Sequence, residues 1–319
     1  MNPHDPRQHV DPSLHPLLDQ IPPKVFSLDT LVERRADILV MLQGAPPEPG
    51  AAEAEEHHVP GPGGRGTVRV LVWRSPGAAG KLPAVLEIHG GGYVVGEAGM
   101  SAAEHRSLVA ETPCVVVSVD YGLAPESAHP ALVEECYAAL VWMAANADAL
   151  GIDAARIGVR GVSAGGGLAA ALALLARDRG EIPLAFQHLC CPMLDDRTCT
   201  DPDPNPHSGH FIWTRASNHF GWASLLGAEP GGEGVSPYAA PARAESLAGL
   251  PPTYIGVGSV DLFIDENLEY ARRLIRAGVP VELHVYPGGF HGFEMAPDSP
   301  LAQQARRDHR AALVRALGG

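Results

Sequence analysis

Short apolar segments, many of them β-branched, alternate with helix-like segments from residue 68 to the end of the chain. Several of these apolar segments have no polar side, which is typical of strands that are covered on both faces. The alternation therefore predicts an α/β fold, with a mostly parallel central sheet and helices on both sides. The predicted strands span residues 68–73, 84–88, 115–119, 157–159, 184–189, 254–257 and 281–285, and the predicted helices span residues 131–147, 164–178, 265–277 and 301–317.

The first 66 residues do not follow this alternation. A stretch from Ser27 has helix-spaced apolar positions and a terminating Gly44, and it predicts one amphipathic helix. Residues 51–66 are rich in Pro and Gly and have no apolar period, which indicates a linker. We predict an N-terminal helical segment at residues 1–50, the linker, and a domain at residues 67–319 that carries a polar insertion around residues 195–235.

The charge balance and the hydropathy of the chain exclude several partners. The chain has 37 acidic residues against 23 Lys and Arg, and its formal net charge of −14 opposes binding to nucleic-acid phosphates or anionic lipids. No segment offers the ~18 uninterrupted apolar residues of a membrane span, and the first residues do not have the pattern of a signal peptide. We expect a soluble, cytoplasmic protein with no nucleic-acid partner and no stable membrane insertion.

The spacing of the five cysteines gives no sign of a metal or redox site. None of them forms a C-x-x-C pair, and most lie in apolar surroundings. Adjacent Cys190 and Cys191 could hardly pair with each other without strain. Buried free thiols are the expected state of all five, and the sequence predicts neither a metal nor a cofactor.

A serine motif lies between the predicted strand at residues 157–159 and the Ala/Leu-rich helix that follows it. The motif G-V-S-A-G places Ser163 at a strand-to-helix turn, which is the setting of a nucleophile elbow. Gly161, Ala164 and Gly165 leave room for the strained backbone of such a turn. The next helix directs its first amides and its positive dipole end at the place where an oxyanion would form. The pentapeptide alone also fits a tight turn without catalysis.

A second motif, H-G-G-G-Y, follows the predicted strand at residues 84–88 and favours the catalytic interpretation. Its glycines leave backbone amides uncovered, so that a substrate oxygen can approach them closely. The amides of Gly91 and Gly92, together with that of Ala164, are the predicted donors of an oxyanion hole. A flexible glycine turn is the alternative interpretation.

A serine nucleophile needs a general base and a carboxylate that orients the base. Among fifteen histidines, His291 stands out because Y-P-G-G-F-H-G-F places it on a Gly-rich loop directly after the last predicted strand. Asp261 follows the preceding strand, and the order Ser163, Asp261, His291 is the one that this fold uses. Asp265 is the nearest alternative acid, but we predict that it caps the next helix.

These motifs together resemble the bacterial hormone-sensitive-lipase-like family of carboxylesterases, from about residue 65 to the C-terminus. The resemblance rests on H-G-G-G-Y, D-Y-G-L-A-P-E, the G-V-S-A-G-G segment and Y-P-G-G-F-H-G-F. The chain departs from the family at Gly122, where Arg is usual, at Val162, where Asp or Thr is usual, and at Leu262, where Pro is usual. None of these three positions carries a reacting group.

The resemblance implies an eight-stranded α/β-hydrolase core, a cap with N-terminal helices over the active site, and hydrolysis of short to medium acyl esters. It also implies a possible homodimer through the last strand and helix. The aromatic stretch around Trp213 and the N-terminal helix are expected to shape the substrate pocket.

The resulting hypothesis is a serine carboxylesterase with a small-molecule ester substrate. Ser163 attacks the ester, His291 carries the proton to the leaving alcohol, and Asp261 holds the imidazolium, so that an acyl-enzyme forms and is hydrolysed. Amide or lactone hydrolysis by the same triad remains an alternative. A non-catalytic ligand-binding protein of the same fold is the other alternative.

Overall fold

A computed structural model describes residues 5–21, 25–42 and 52–319 of the chain. Its strands are β1 Glu55–Pro60, β2 Thr67–Arg74, β3 Leu82–Ile88, β4 Val115–Asp120, β5 Ile152–Val162, β6 Gln187–Cys190, β7 Thr253–Gly258 and β8 Val281–Tyr286. Its α-helices within these ranges are α1 His15–Gln20, α2 Leu28–Leu42, α3 Ala102–Glu111, α4 Ala131–Ala145, α5 Ala147–Leu150, α6 Ala164–Arg179, α7 Arg215–Leu226, α8 Ile264–Arg276 and α9 Pro300–Ala316.

The strands form one eight-stranded sheet in the order β1-β2-β4-β3-β5-β6-β7-β8. Strand β2 runs antiparallel to both of its neighbours, and β4, β3, β5, β6, β7 and β8 run parallel to one another. The predicted α/β architecture is thus confirmed. Because the parallel strands end at the same edge of the sheet, the loops that follow β3, β5, β7 and β8 meet there.

The strands in the middle of the sheet are apolar because helices cover both of their faces. Every residue of β3 and of β7 is buried. Helix α6 packs against this core through a side-chain series of Ala, Gly and Leu, and its residues from Ala164 to Ala176 are all buried. Such small side chains let the helix approach the sheet closely, which fixes the position of the turn that precedes it.

One strand lies where the sequence predicted a linker. Residues 55–60 of the predicted linker form β1, which pairs antiparallel with β2. The strand is at the edge of the sheet and only Val59 is buried, so its sequence carries almost no apolar signal. Backbone pairing and a contact between His57 and Trp142, with ring centroids 5.2 Å apart, hold it instead. The division of the chain into domains stays a prediction.

Other elements differ less from the prediction. Helix α2 coincides with the predicted N-terminal helix, whereas its predicted end at Gly44 falls outside the described residues. Helices α3 and α7 were not predicted, and α7 lies within the insertion around residues 195–235. None of the helices in the described ranges has the length and apolar character needed to cross a membrane.

Candidate active site

Ser163 occupies the turn between β5 and α6. Its backbone has φ 57° and ψ −122°, which is a strained conformation for a residue with a side chain. Glycines make the turn possible: a Cβ on Gly161 would lie 2.1 Å from the carbonyl oxygen of Gly165, and a Cβ on Gly165 would lie 2.1 Å from that of Ile88. The strained turn holds the Ser163 side chain just beyond the carboxyl end of β5.

Backbone hydrogen bonds fix this turn on both sides. The Ser163 amide donates to the carbonyl oxygen of Cys190 at 2.8 Å, at the end of β6. The Ser163 carbonyl oxygen accepts from the amides of Gly167 and Met193, each at 3.0 Å. The position of the Ser163 side chain is therefore set by the neighbouring strand and the first turn of α6, and its own rotamer is the only local freedom.

His291 lies on the loop after β8, and its imidazole reaches the serine. The distance between His291 Nε2 and Ser163 Oγ is 2.9 Å. The ring of Phe263 stands edge-on to the imidazole, with centroids 5.1 Å apart and an interplanar angle of 89°. Both members of the Ser163–His291 pair are buried, at 7% and 8% exposure, so that little water competes for their hydrogen bond.

Asp261 orients the imidazole from the loop after β7. Its Oδ2 accepts a hydrogen bond from His291 Nδ1 at 2.8 Å, and its Oδ1 accepts from the amide of Phe263 at 2.9 Å. A carboxylate accepts the Nδ1 proton, so His291 Nε2 is left with a lone pair toward Ser163 Oγ. Burial lowers the pKa of His291, but the charge and the hydrogen bond of Asp261 outweigh burial and raise the pKa above its usual value.

The H-G-G-G segment lies beside the Ser163 turn, as the sequence predicted. A Cβ on Gly90 would lie 2.9 Å from the carbonyl oxygen of Val162, and a Cβ on Gly91 would lie 2.0 Å from that of Val95. Gly91 has φ 118° and Gly92 has φ 60°, values that favour glycine. These conformations leave the backbone amides of the segment uncovered by side chains.

The three predicted oxyanion donors are free to bind a substrate oxygen. Within the described part of the chain, the amides of Gly91 and Gly92 donate to no other protein atom. Ala164 is the first residue of α6, so its amide has no partner inside the helix. Free amides of this kind can donate to an oxygen that becomes negative during a reaction.

The first residue of the H-G-G-G segment supports the loop. The His89 ring stacks on Tyr121, with centroids 4.1 Å apart and an interplanar angle of 10°, and its Nδ1 lies 2.8 Å from the carbonyl oxygen of Gly90. The Tyr121 hydroxyl donates to the His89 carbonyl oxygen at 2.7 Å. Burial lowers the pKa of His89 to about 4. A neutral, stacked ring of this kind fits a structural role.

Trp213, one of the aromatic residues of the insertion, covers the site. A Cβ on Gly92 would lie 2.0 Å from Trp213 Cη2, so the indole edge rests directly on the glycine loop. The indole is 6.5 Å from the His291 ring and 5.3 Å from the ring of Phe26, which precedes α2. Trp213 thus lies between the glycine loop and His291. The sequence marked the aromatic stretch but could not show which ring faces the site.

The predicted helix cap at Asp265 is wrong. Helix α8 begins at Ile264, so Asp265 is already inside its first turn and is exposed. Its negative charge interacts favourably with the positive end of the helix dipole, but the carboxylate accepts no hydrogen bond from the first amides of the helix. Asp261, four residues earlier, is the acid that reaches His291, and its Oδ1 also accepts from the Phe263 amide.

Cys191 is a further potential ligand beside the triad. One atom each of Cys191, Asp261 and His291 lies within 4.8 Å of the others. Burial first, and then the charge of Asp261, raise the pKa of the Cys191 thiol well above its usual value, so the sulfur stays protonated. Both nitrogens of His291 already take part in the hydrogen-bond chain. The arrangement is therefore suited to proton transfer and not to holding a metal.

Comparisons with known proteins show which family the chain is similar to. Residues 85–295 match a family model described as the alpha/beta hydrolase fold. The chain is 35% identical over 314 residues to carboxylesterase NlhH of Mycobacterium tuberculosis, covering 98% of this chain and 97% of that protein. It is 34% identical over 290 residues to esterase LipI of the same species, covering 91% and 89% of the two chains.

A solved structure extends the likeness to three dimensions. The bacterial heroin esterase superposes with a TM-score of 0.90 and 38% sequence identity, covering 98% of this chain and 99% of that one. The eight-stranded core, the esterase relatives and the family match point to the same conclusion. The chain belongs to the hormone-sensitive-lipase-like family of the α/β-hydrolase fold and is a carboxylic ester hydrolase.

Proposed function

We propose that Ser163, His291 and Asp261 are the catalytic triad of this esterase. The observation that carries the proposal is the continuous hydrogen-bond chain from Ser163 Oγ to His291 Nε2 at 2.9 Å and from His291 Nδ1 to Asp261 Oδ2 at 2.8 Å. The chain lets the imidazole take the serine proton while the carboxylate stabilises the imidazolium that forms. Ester hydrolysis thus needs no group beyond these three side chains and the loop amides.

The reaction proceeds through an acyl-enzyme. Ser163 Oγ attacks the ester carbonyl carbon and its proton passes to His291 Nε2, while the carbonyl oxygen becomes an oxyanion. The amides of Gly91, Gly92 and Ala164 donate to that oxygen, and each such donor contributes about 3 kcal/mol to the stability of the transition state. His291 returns its proton to the leaving alcohol, and the same steps with water release the acid.

We propose short to medium acyl esters as substrates. Trp213 rests on Gly92 and faces His291, which limits the space for an acyl chain beside the oxyanion donors. Ser163 and His291 are both buried, so little open space surrounds the reacting atoms, which favours compact acyl groups.

A labelling experiment tests this function together with the identity of the nucleophile. The protein is assayed with p-nitrophenyl acetate and with the matched anilide, and it is then treated with a fluorophosphonate. We expect ester turnover well above anilide turnover and a covalent adduct mapped to Ser163. Anilide turnover equal to ester turnover would favour the amide alternative. A folded protein without ester turnover, or with its adduct on another residue, would refute the proposal.

Replacing Trp213 by alanine should shift the selectivity toward longer acyl chains. The change opens the space beside Gly92, so the ratio of kcat/KM for an octanoate ester to that for an acetate ester should rise about tenfold or more. Since the buried indole also stabilises the fold by about 3–5 kcal/mol, a thermal melt must first show that the variant is folded. Trp213→Phe keeps an aromatic ring and should shift the ratio less. An unchanged ratio in folded Trp213→Ala would contradict the assignment of Trp213 to the acyl pocket.

We further propose that the N-terminal segment at residues 1–50 and the insertion around residues 195–235 together form the cap. Phe26 contacts Trp213 of the insertion. Arg35 on α2 donates to the carbonyl oxygens of Val94 and Ala124 at 2.9 and 3.0 Å and pairs with Glu126 at 2.7 Å. These contacts support a cap that is anchored beside the glycine loop.

We also propose a homodimer and a cytoplasmic location. Among the described residues, strand β8 is an edge of the sheet that pairs with β7 alone, and Val285 on β8 and Ile275 on α8 are exposed apolar residues. An open edge with apolar neighbours supports pairing with a second copy. Light scattering should then give twice the chain mass of 33.5 kDa.

All five cysteines are free and buried, which is compatible with a cytoplasmic, reducing compartment. Cell fractionation tests the proposed location.

A further inference from the structure

Two histidines and a cysteine lie close together between strand β6 and helix α9, apart from the triad. His188 and Cys190 lie two positions apart on β6, so their side chains point to the same face, and His309 on α9 packs against that face. We call these three residues the β6–α9 cluster. Their exposures are 1%, 5% and 8%, and one ligand atom of each lies within 4.8 Å of those of the other two.

The hydrogen bonding of His188 directs one of its lone pairs at the cysteine. His188 Nε2 lies 3.0 Å from the backbone carbonyl oxygen of His309. Because a carbonyl oxygen only accepts, Nε2 carries the proton and Nδ1 keeps its lone pair. That Nδ1 is 3.7 Å from Cys190 Sγ. Tyr254 stacks on the same ring, with centroids 4.4 Å apart and an interplanar angle of 11°, so the imidazole cannot turn away easily.

His309 on α9 approaches the same sulfur. Its Nδ1 lies 3.2 Å from Cys190 Sγ. The approach depends on Gly256, the residue that pairs with Cys190 in the sheet, because a Cβ there would lie 2.6 Å from His309 Cε1. The other nitrogen, Nε2, has no hydrogen-bond acceptor within the described residues and lies 3.6 Å from Glu294 Oε1. A carboxylate beside the outer nitrogen is the usual support of a metal-binding histidine.

The two sulfur–nitrogen separations agree with those of a tetrahedral metal centre. For Zn–S bonds of ~2.3 Å and Zn–N bonds of ~2.1 Å, tetrahedral geometry separates sulfur and nitrogen by about 3.6 Å. The two observed separations, 3.7 and 3.2 Å, lie close to this value on either side. One thiolate and two imidazoles are also ligands that Zn²⁺ prefers.

One positive charge, that of Arg160, lies near the cluster, and nearby carboxylates offset it in part. Arg160 on β5 lies opposite His188 in the sheet. Its guanidinium is bound by Glu87 at 3.1 Å and by Glu104 at 2.7 Å, so two carboxylates offset part of its charge. Glu294 adds a further negative charge beside His309.

We propose that His188, Cys190 and His309 supply three of the four ligands of a buried Zn²⁺ site, with a water molecule as the fourth. The metal replaces the proton that Cys190 Sγ and His309 Nδ1 otherwise share, and it joins β6 to α9. Because the Cys190 carbonyl oxygen also accepts the hydrogen bond from the Ser163 amide, the site braces the strand end that carries the nucleophile turn.

Cobalt spectroscopy tests the site directly. The full-length protein is freed of metal with a chelator and titrated with Co²⁺, and the absorption spectrum is recorded. We expect one Co²⁺ per chain, a thiolate-to-metal charge-transfer band and strong tetrahedral d–d bands, all removed by added Zn²⁺. Cys190→Ser should lose the charge-transfer band. Cys199→Ser is the matched control, because Cys199 is also buried and its hydrogen bond to the Asp196 carbonyl oxygen can be made by a serine. Absence of the band in folded wild type, or its persistence in Cys190→Ser, would overturn the proposal.

A second measurement needs no variant, in case Cys190→Ser does not fold. Alkylation of Cys190 is followed by tandem mass spectrometry, which separates it from Cys191, at a urea concentration chosen so that the metal-free protein is labelled. Zn²⁺ should slow labelling of Cys190 by a factor of about 1 + [Zn²⁺]/Kd. Global stabilisation slows labelling of Cys114 and Cys136 as well, so the site is assigned only if labelling of Cys190 slows more than labelling of these two. Equal rates at Cys190 with and without Zn²⁺ would refute the site.

Discussion

Replacing Ser163 by alanine should lower kcat for p-nitrophenyl acetate about 10⁵-fold or more, because members of a catalytic triad act as one unit. The change removes the only atom that bonds covalently to the acyl group in the proposed mechanism. The oxyanion donors remain in place, so a residual rate above the uncatalysed reaction is expected. The measurement is a steady-state assay with enough enzyme to detect this residual rate.

The control for Ser163→Ala is a serine outside the site. Ser107 lies on α3 and its hydroxyl donates to Glu111 at 2.7 Å on the surface. Ser107→Ala should leave kcat unchanged, and circular dichroism should show both variants folded. A Ser163→Ala variant that keeps more than a small fraction of the wild-type rate would mean that another residue is the nucleophile.

Replacing Asp261 by asparagine should lower kcat about 10⁴-fold, although Asp261 does not contact the substrate. The asparagine amide can donate a hydrogen bond to His291 Nδ1, which would place the imidazole proton on Nε2, facing Ser163 Oγ. The histidine could then no longer accept the serine proton. Asp265→Asn is a matched control from the same D-L-F-I-D segment, and we expect it to retain activity because Asp265 is exposed on α8.

The pH profiles of the wild type and Asp261→Asn show whether Asp261 acts on His291 or whether the variant is merely damaged in its structure. His291 must be neutral to act as a base, so activity falls as the pH drops through its pKa. In the wild type Asp261 raises that pKa against the effect of burial, and the acidic limb of kcat/KM should lie above the usual histidine value of about 6.5. In Asp261→Asn the burial of His291 still lowers its pKa, but the carboxylate charge that raised the pKa is lost. The acidic limb of the residual activity should therefore lie at lower pH than in the wild type. An unshifted limb would contradict the proposed role of Asp261.

The central part of the fold could be predicted because it is buried on both faces. Strands such as β3 and β7 contain almost only apolar residues, and the long amphipathic and apolar helices around them have clear periods. Strand β1 was missed for the opposite reason: in the described part of the chain it pairs with β2 alone, and Val59 is its one buried residue. Helix α7 was missed because its polar residues and glycine give a weak pattern that its caps and packing override.

The sequence predicted the reacting residues of the candidate site, but it did not predict which side chains surround them. Ser163, Asp261 and His291 follow motifs at strand ends, and the parallel sheet brings such ends together. The position of Trp213 over Gly92 depends on a loop about 120 residues away in sequence, which no local pattern reveals. The β6–α9 cluster was hidden in the same way, since His309 is separated from Cys190 by 119 residues.

The hydrogen-bond chain of the triad joins residues that are 128 and 30 positions apart in sequence. Strand β5 leads into Ser163 and β8 leads into His291, and β6 and β7 lie between them in the sheet. The chain can close only after all four strands have adopted their order, and contacts of such large sequence separation form slowly. Recovery of ester hydrolysis during refolding therefore marks the completion of the whole sheet, and it should lag behind the return of helical circular dichroism.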